Sequence, residues 1–300
     1  MKVAFIGTGT MGQPMLANLL NKGFQVVAYD TAPMALDAAV KLGAERAGSS
    51  AQAAAAGELV ITMLPSSANV EAAYLGAGGI IEGVAAGRLC VDMSTIDPGT
   101  SQRVAARLKE RGIRFLDAPV SGGVGGAAAG SLAIMVGGEA DDLDEARPAL
   151  AAMGSNIIHV GAVGAGEVAK LCNNLISGTV AVAVSEAFRI GEAFDVDPRI
   201  LTSVIAKSSG ATWVMEHMHP VPGIVDNAAS SRQYTPGFMT DLMAKDLGLA
   251  VSAAREKRVP IVVAPAAQQL YRMASSHGLG RKDFSSVYQF LKPSSDDAPV

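Results

Sequence analysis

Short apolar runs alternate with amphipathic stretches through the first half of the chain. The runs are rich in Val, Ile, Leu and Phe, and they stop at a polar residue, a proline or a glycine. Near-continuous apolar strands separated by helical segments are typical of a parallel sheet that is covered on both faces. The pattern therefore predicts strands at residues 3–6, 26–29, 59–64, 89–94, 115–120, 132–136 and 157–160.

The character of the chain changes near residue 163. Residues 167–194 contain no proline, and apolar residues recur around the helical wheel with few charges. This pattern predicts one long, largely buried helix. The periodicity stays helical from residue 198 onward, apart from a loop rich in Pro, Gly, Ser and Asn at about 218–237. The tail at 293–300 is polar and contains proline, and we expect it to be mobile.

These patterns together predict an α/β protein with three parts. A doubly wound sheet of the Rossmann type occupies residues 1–162, a long interdomain helix occupies 163–193, and an all-helical domain occupies 194–300. A chain of 300 residues fits two domains, and its 49% apolar residues supply enough material for both cores.

Composition excludes several classes of function. The net charge is −4 and is spread along the chain without a Lys/Arg cluster, so we expect no nucleic-acid partner. No apolar run reaches the length of a membrane span, and the first residues look like a buried strand rather than a signal peptide, so we expect no membrane association. The two cysteines do not build a disulfide scaffold, which favours a reducing compartment and a cytoplasmic location. His217 and His219 lack further ligands nearby, so we expect no metal site.

A glycine-rich turn follows the first apolar run. In Gly7-Thr8-Gly9-Thr10-Met11-Gly12, the first glycine permits a tight strand-to-helix turn, the second lets the backbone approach a pyrophosphate, and the third lets helix and strand pack closely. Such a turn alone is weak evidence. Here a strand, a helix, a second strand and the acidic Asp30 follow in order, which is the context of a dinucleotide site.

Asp30 also indicates which dinucleotide binds. A carboxylate at this position accepts hydrogen bonds from the adenosine ribose and would repel the 2′-phosphate of NADP. None of the next four residues, 31–34, is basic. The sequence therefore predicts NAD rather than NADP.

Three more groups of residues follow predicted strands. Leu64 and Pro65 end one strand, Thr95 follows the next, and Ser121-Gly122-Gly123 follows a third. Ligands of such sheets bind outside the carboxyl ends of the strands, so these residues are expected to converge on one crevice. Without their placement at a strand end, residues 121–123 would more readily be interpreted as a flexible turn.

Lys170, Asn173 and Asn174 are spaced so that they share one face of the long helix. Polar groups on so apolar a helix need partners, because an unpaired buried polar group is costly. One interpretation is a lysine that extends to solvent, with amides bonded to nearby backbone. The other is a lysine with a pKa lowered by partial desolvation, which suits proton transfer near neutral pH.

Four segments give the chain a specific resemblance over essentially its whole length. Residues 5–12, 117–123, 164–174 and 243–249 together resemble the β-hydroxyacid dehydrogenases. The resemblance implies that Lys170 transfers the proton and that Asn174 orients the substrate hydroxyl. It further implies that the substrate carboxylate is held by Ser121, Gly122 and Gly123, with Trp213 near the substrate, and that the cofactor is contacted by Leu64, Pro65, Thr95 and Lys245.

Some of these residues have simpler interpretations. Without the resemblance, Lys245 and Asp246 would be a solvated pair on a helix, and Trp213 would fill a core. Asp117, beside Pro119, is expected to cap or turn the chain rather than take part in catalysis.

The resemblance implies NAD-dependent oxidation of a short β-hydroxyacid, with 3-hydroxyisobutyrate giving methylmalonate semialdehyde as in valine degradation. It also implies a homodimer or homotetramer and an active site in a cleft between domains. Residues 211–212 and 217–222 depart from the expected pattern, which leaves the side chain of the substrate open. L-serine, tartronate semialdehyde and glyoxylate or succinic semialdehyde are alternative substrates.

Other activities are less compatible with the residues. Asp30 argues against an NADPH-dependent semialdehyde reductase, and Lys170 argues against an imine reductase. A non-catalytic NAD-binding regulator is the alternative from another class. The joint presence of Lys170, Asn174 and Ser121 argues against it.

Overall fold

The structure is a computed structural model that describes residues 1–292. The tail at 293–300, expected from the sequence to be mobile, lies outside the described residues. The chain divides into two compact units, Met1–Lys170 and the part from Leu171 onward.

The first unit alternates strands and helices. Its strands are β1 (Lys2–Ile6), β2 (Gln25–Tyr29), β3 (Glu45–Arg46), β4 (Leu59–Thr62), β5 (Leu89–Asp92), β6 (Arg114–Asp117), β7 (Val120–Ser121), β8 (Leu132–Gly137) and β9 (Gly154–Gly161). Its helices are α1 (Gly12–Asn21), α2 (Pro33–Lys41), α3 (Ser50–Ala56), α4 (Ser67–Leu75), α5 (Ile80–Gly83), α6 (Pro98–Lys109), α7 (Gly123–Ala129) and α8 (Ala140–Met153).

Most of the apolar runs form strands that are buried on both faces, and β9, which is mostly exposed, is the exception. Along β1, Val3 and Phe5 belong to one apolar core, and Ala4 and Ile6 belong to another. Alternate side chains of a strand point to opposite faces, so a strand covered on both sides must be apolar at nearly every position. Each of the seven predicted runs contains a strand, but the run at 115–120 is divided between β6 and β7, and the strands within 59–64 and 89–94 end at Thr62 and Asp92.

Within residues 1–292 the strands form one nine-stranded sheet with the order β3-β2-β1-β4-β5-β6-β8-β7, and β9 also pairs with β8. The first six strands are parallel, and the order reverses direction between β1 and β4. Strand β8 departs from the predicted parallel arrangement, because it runs antiparallel to both β6 and β7. The chain between β7 and β8 holds a seven-residue helix, α7, and parallel strands usually need a longer crossover.

The second unit is helical in its described part, as the sequence predicts. Its helices are α9 (Ala165–Ala193, which begins in the first unit), α10 (Pro198–Ala206), α11 (Trp213–His217), α12 (Thr240–Glu256), α13 (Val263–Ala274) and α14 (Val287–Phe290). Short turns of 3-10 helix at Ser230–Arg232 and Phe284–Ser286 and a π-helical turn at Ser275–Leu279 complete it.

Helix α9 belongs to both units. The division falls inside it at Lys170, rather than at residue 162 where the predicted first domain ends, because its first turn is bonded to the strands of the first unit. By length and composition alone α9 could cross a membrane, although the sequence showed no unbroken apolar run of that length. The core helix of a soluble protein meets the same criterion, and 44% of the qualifying window is buried.

The later turns of α9 form part of the core of the second unit. Ala181 and Val182 of α9 cluster with Met243 of α12 and Tyr271 of α13. The Tyr271 hydroxyl donates a hydrogen bond of 2.9 Å to the carbonyl of Gly178, so the helix is held by a directed contact as well as by packing.

His219 anchors the loop that follows α11. Its ring is fully buried and stands edge-on to Phe188, with ring centroids 4.5 Å apart. The backbone N–H of Val221 donates to Nδ1 at 3.1 Å, so the ring proton of the neutral form lies on Nε2, which is 3.1 Å from Thr202 Oγ1. Burial lowers the pKa of His219 to about 4.

This histidine makes stability depend on pH. Between the ordinary histidine pKa of about 6.5 and the folded value, the unfolded chain binds the proton more readily, so the contribution of His219 to stability is lost as the pH falls through this window. We expect the stability difference between the wild type and His219→Gln to shrink from about pH 7 to about pH 4 in urea unfolding. His277→Gln, at an exposed histidine, serves as the control. A wild-type minus His219→Gln difference that does not change with pH would contradict the assignment.

Candidate functional site

The turn between β1 and α1 has the geometry of a phosphate-binding loop. Gly7 has φ +94°, and a Cβ there would lie 2.2 Å from the carbonyl oxygen of Met63. A Cβ at Gly12 would lie 1.9 Å from the carbonyl oxygen of Gly7. At Gly9 a Cβ would have no atom within 4 Å, so the turn is open on one side at the start of α1. A pyrophosphate fits this arrangement, because helix N-termini present N–H groups to anions.

Asp30 lies immediately after β2 and is fixed by the same turn. Its Oδ2 accepts from the backbone N–H of Thr8 at 2.7 Å and from the Thr8 hydroxyl at 3.3 Å. Its Oδ1 accepts from the N–H of Ala32 at 2.8 Å. An ionised carboxylate has about four lone-pair sites, so one remains for a ribose hydroxyl.

Leu64, Pro65 and Thr95 lie at the carboxyl ends of neighbouring strands. Strands β4 and β5 are parallel, and β1 runs beside β4, so these loops are at the same edge of the sheet as the phosphate-binding turn. The two loops are also bonded to each other, because the N–H of Leu64 donates to Ser94 Oγ at 2.8 Å. The structure thus brings together the predicted cofactor residues of the first unit.

Ser121, Gly122 and Gly123 form an ordered turn between β7 and α7. Ser121 pairs with Ala133 of β8, and α7 begins at Gly123. Gly122 and Gly123 have φ values of +135° and +61°, a pair of conformations that side chains on Cα disfavour. Their role in holding a carboxylate stays a prediction.

Lys170 lies on a helix whose start is bonded to the sheet edge. Asp117, the last residue of β6, accepts from the backbone N–H of Gly164 at 2.7 Å and from that of Glu167 at 3.0 Å. The Glu167 carboxylate accepts from the N–H of Ile96 at 3.1 Å. Lys170 is 5% exposed, so its side chain does not extend into solvent.

Asp117 has the capping role expected of it. Burial raises its pKa, and the backbone N–H groups that it accepts from oppose this effect. The anchoring role of Glu167 was not predicted. A carboxylate in the first turn of a buried helix was the available signal, since anions are favoured at helix N-termini.

Asn174, Asp246 and Lys245 form a connected group in the second unit. Asn174 Nδ2 donates to Asp246 Oδ2 at 2.6 Å, and Lys245 Nζ lies 3.3 Å from Asp246 Oδ1. Asn173 Nδ2 donates to Asn174 Oδ1 at 3.1 Å. The Asn174 amide is therefore oriented by the Asp246 carboxylate at Nδ2 and by the Asn173 amide at Oδ1, whose second lone pair can still accept a hydrogen bond.

The interpretation of Lys245 and Asp246 as a solvated pair was wrong for Asp246, which is 1% exposed. Asp246 lies on the buried face of α12 with Met243 and Leu247. A carboxylate at a core-facing position of an amphipathic helix was the signal for this role.

Trp213 does not fill a core. It begins α11 with 60% of its surface exposed, and its ring stacks on that of His217 with centroids 4.6 Å apart. Its contact with substrate stays a prediction. Within residues 1–292, no group of three or more His, Cys, Asp or Glu side chains is placed to hold a metal ion.

Family models match both parts of the chain. Residues 2–161 match the NAD-binding domain of 6-phosphogluconate dehydrogenase, and residues 164–291 match the NAD-binding domain of NADP-dependent 3-hydroxyisobutyrate dehydrogenase. The two matches together cover most of the chain.

Individual relatives are similar over nearly their whole length. The mitochondrial 3-hydroxyisobutyrate dehydrogenase of Homo sapiens is 43% identical, over 97% of this chain and 86% of the relative. The NAD-dependent L-serine dehydrogenase of Pseudomonas aeruginosa is also 43% identical, over 97% and 98%. A structure of Mycobacterium tuberculosis 3-hydroxyisobutyrate dehydrogenase with L-serine superposes with a TM-score of 0.93 at 38% identity, covering 97% of this chain and 99% of the other.

These relatives share most of their length with a chain that has three features described above. They are the glycine turn with Asp30, the buried Lys170 on an anchored helix, and the oriented Asn174. The protein belongs to the 3-hydroxyisobutyrate dehydrogenase family of NAD-dependent β-hydroxyacid dehydrogenases.

Proposed function

We propose that this protein oxidises 3-hydroxyisobutyrate to methylmalonate semialdehyde with NAD. The observation that carries the proposal is Lys170, buried on a helix that Asp117 bonds to the sheet edge bearing the phosphate-binding turn. The family relatives are dehydrogenases of hydroxyacids with short side chains, which supports the reaction class.

Each group of residues has a distinct part in this reaction. NAD, when bound, supplies the acceptor for the hydride that leaves the carbinol carbon. Nζ of Lys170 accepts the hydroxyl proton, so the alcohol loses a hydride and a proton and becomes an aldehyde. The amide of Asn174, one helical turn from Lys170, holds the hydroxyl oxygen. The hydroxyl of Ser121 and the N–H groups of Gly122 and Gly123 hold the carboxylate.

The choice of NAD rests on Asp30. Its carboxylate is fixed between Thr8 and Ala32, so it cannot turn away from an incoming ribose without losing these bonds. A 2′-phosphate there would meet a negative charge, whereas ribose hydroxyls would donate to it.

L-serine is the second candidate substrate. It is favoured by the P. aeruginosa relative, which is as similar as the human one, and by the M. tuberculosis structure with L-serine. Both substrates are short β-hydroxyacids, so the same proton and hydride transfers apply.

The test is NADH formation from 3-hydroxyisobutyrate, L-serine and glycerate, repeated with NADP. We expect the highest kcat/KM with NAD and 3-hydroxyisobutyrate. Turnover of L-serine or glycerate alone would keep the mechanism and change the substrate. Tight NAD binding without turnover of any of them would contradict the proposal and favour the regulator.

We also propose that the protein is a homodimer or homotetramer. Ile190, in the last turn of α9, is 62% exposed, and Phe194, the residue that follows the helix, is 78% exposed. On α10, Ile200 and Val204 are 60% and 55% exposed. The members of each pair lie four residues apart, and the N–H of Phe194 still donates to the carbonyl of Ile190 at 3.2 Å. Each pair therefore forms an apolar stripe along one side of a helical turn. A second copy of the chain is a suitable cover for these stripes, since exposed apolar patches commonly mark interfaces.

The stripes are tested by light scattering coupled to gel filtration. We expect Phe194→Ser to lower the mass of the particle or to make it depend on concentration. Met34→Ser is the control, because Met34 is 84% exposed in the first unit. A monomeric wild type, or an unchanged mass in Phe194→Ser, would contradict the proposed interface.

A cytoplasmic location and a place in valine degradation complete the proposal. Both cysteines are free thiols, which supports a reducing compartment, and the proposed substrate supports the pathway. Fractionation of the cells that produce the protein tests the location, and growth on valine after loss of its gene tests the pathway.

A further inference from the structure

Asp92 is a buried carboxylate that the reaction does not use. It ends β5 in the middle of the sheet and has no exposed surface. Burial raises its pKa to about 6, so the folded protein bears a cost for keeping this group charged at neutral pH. An apolar residue would avoid the cost, so the carboxylate calls for an explanation.

In the hydrogen bonds around Asp92, every donor points toward the carboxylate. Asp92 Oδ1 accepts from Ser94 Oγ at 2.6 Å and from Thr62 Oγ1 at 2.7 Å. Since the Ser94 hydroxyl gives its proton to Asp92, its oxygen is left to accept from the N–H of Leu64, at 2.8 Å. By the same reasoning Thr62 accepts from the hydroxyl of Tyr74, at 3.1 Å.

This chain of bonds reaches two of the loops predicted to contact the cofactor, the one after β4 and the one after β5. Leu64, the second residue after β4, is held through Ser94. The loop after β5 is held at Ser94 itself, whose N–H also donates to Asp92 Oδ1 at 3.3 Å, and Thr95 is the next residue. One carboxylate oxygen therefore fixes the spacing between the two loops.

We propose that Asp92 is a positioning residue of the NAD site, acting through Ser94 to hold the loops at Leu64 and Thr95 in their binding conformation. The inference rests on the proposed function for the role of these loops. It requires no contact between Asp92 and the cofactor. Its consequence is that NAD affinity depends on an acceptor atom beneath the loops.

The test is isothermal titration of NAD into the full chain without substrate. Because loosened loops bind the cofactor less well, we expect Asp92→Ala and Ser94→Ala each to raise the Kd for NAD about tenfold, which corresponds to about 1.4 kcal/mol of binding free energy. Asp92→Asn keeps an acceptor oxygen and is expected to recover most of the affinity. Because Asp92 acts through Ser94, the double alanine variant should bind NAD no more weakly than whichever single alanine variant has the higher Kd.

Cys90→Ala is the matched control. Cys90 is buried on the same strand and faces the same side of the sheet, but it belongs to the apolar core. We expect it to lower the free energy of unfolding without changing the Kd for NAD. At saturating NAD the kcat of Ser94→Ala should stay near that of the wild type, while its KM for NAD rises.

Two results would overturn the proposal: Kd values within about twofold of the wild type for both single alanine variants, or an equal rise in Cys90→Ala. If Asp92→Ala does not fold, Ser94→Ala and Asp92→Asn still decide the question. The titration needs no hydroxyacid, so an error in the proposed substrate leaves its outcome unaffected.

Discussion

Replacing Lys170 with Ala is expected to lower kcat by about a thousandfold or more while the Kd for NAD stays within about twofold of the wild type. The lysine is buried one turn into α9, and in the proposed reaction its amine is the group that accepts the hydroxyl proton. Stopped-flow measurement of NADH formation, together with titration of NAD, separates the two quantities.

Chemical rescue makes the Lys170 experiment specific. If the missing group is a proton acceptor, small primary amines should restore part of the activity of Lys170→Ala in proportion to their basicity. Lys207→Ala, at an exposed lysine of the second unit, is the control and should behave as the wild type. Unchanged turnover in Lys170→Ala would remove the proton-transfer assignment. Failure of every amine would indicate that the lysine acts through structure or charge.

Replacing Asp117 with Ala is expected to lower both stability and kcat. The substitution leaves two backbone N–H groups without their acceptor, those of Gly164 and Glu167. Each such loss is worth about 1–3 kcal/mol, so we expect the free energy of unfolding to fall by about 2–6 kcal/mol. A displaced first turn would also misplace Lys170, and small errors in catalytic geometry can cost about a hundredfold in rate.

Urea unfolding and steady-state kinetics measure the two effects of Asp117→Ala. Asp142→Ala is the control, because Asp142 is a buried carboxylate of the first unit that pairs with Arg114 at 2.8 Å and lies on α8. It should lose stability without a matching loss of kcat. Asp117→Asn keeps one acceptor oxygen, so its stability and kcat should lie between those of the wild type and those of Asp117→Ala. An Asp117→Ala variant with the stability and kcat of the wild type would contradict the anchoring role.

The features that the sequence predicted well are local. Apart from the run in the mostly exposed β9, the apolar runs mark strands because burial on both faces of the sheet leaves no polar face along them. Gly7 and Gly12 are required by the turn in which they lie. The long helix was also visible from its periodicity, with ends within about two residues of those observed.

The features that were missed depend on residues far apart in the chain. Asp92 lies beside Asp117 because β5 and β6 pair, and nothing near either residue in the sequence reveals that register. The burial of Asp246 depends on Asn174, 72 residues earlier. The antiparallel course of β8 and the exposure of Trp213 likewise follow from tertiary packing, which overrides local propensity.

The continuity of α9 has a consequence for the modularity of this fold. The helix passes unbroken from the first compact unit into the second, with Lys170 at the boundary. A cut before the helix would take the lysine away from the nucleotide-binding unit, and a cut after it would deprive the helical unit of Ala181, Val182 and Phe188 from its core. Neither unit can therefore be exchanged between proteins without dividing α9. A gene fusion that joined another substrate domain before α9 would have to supply a new lysine as well.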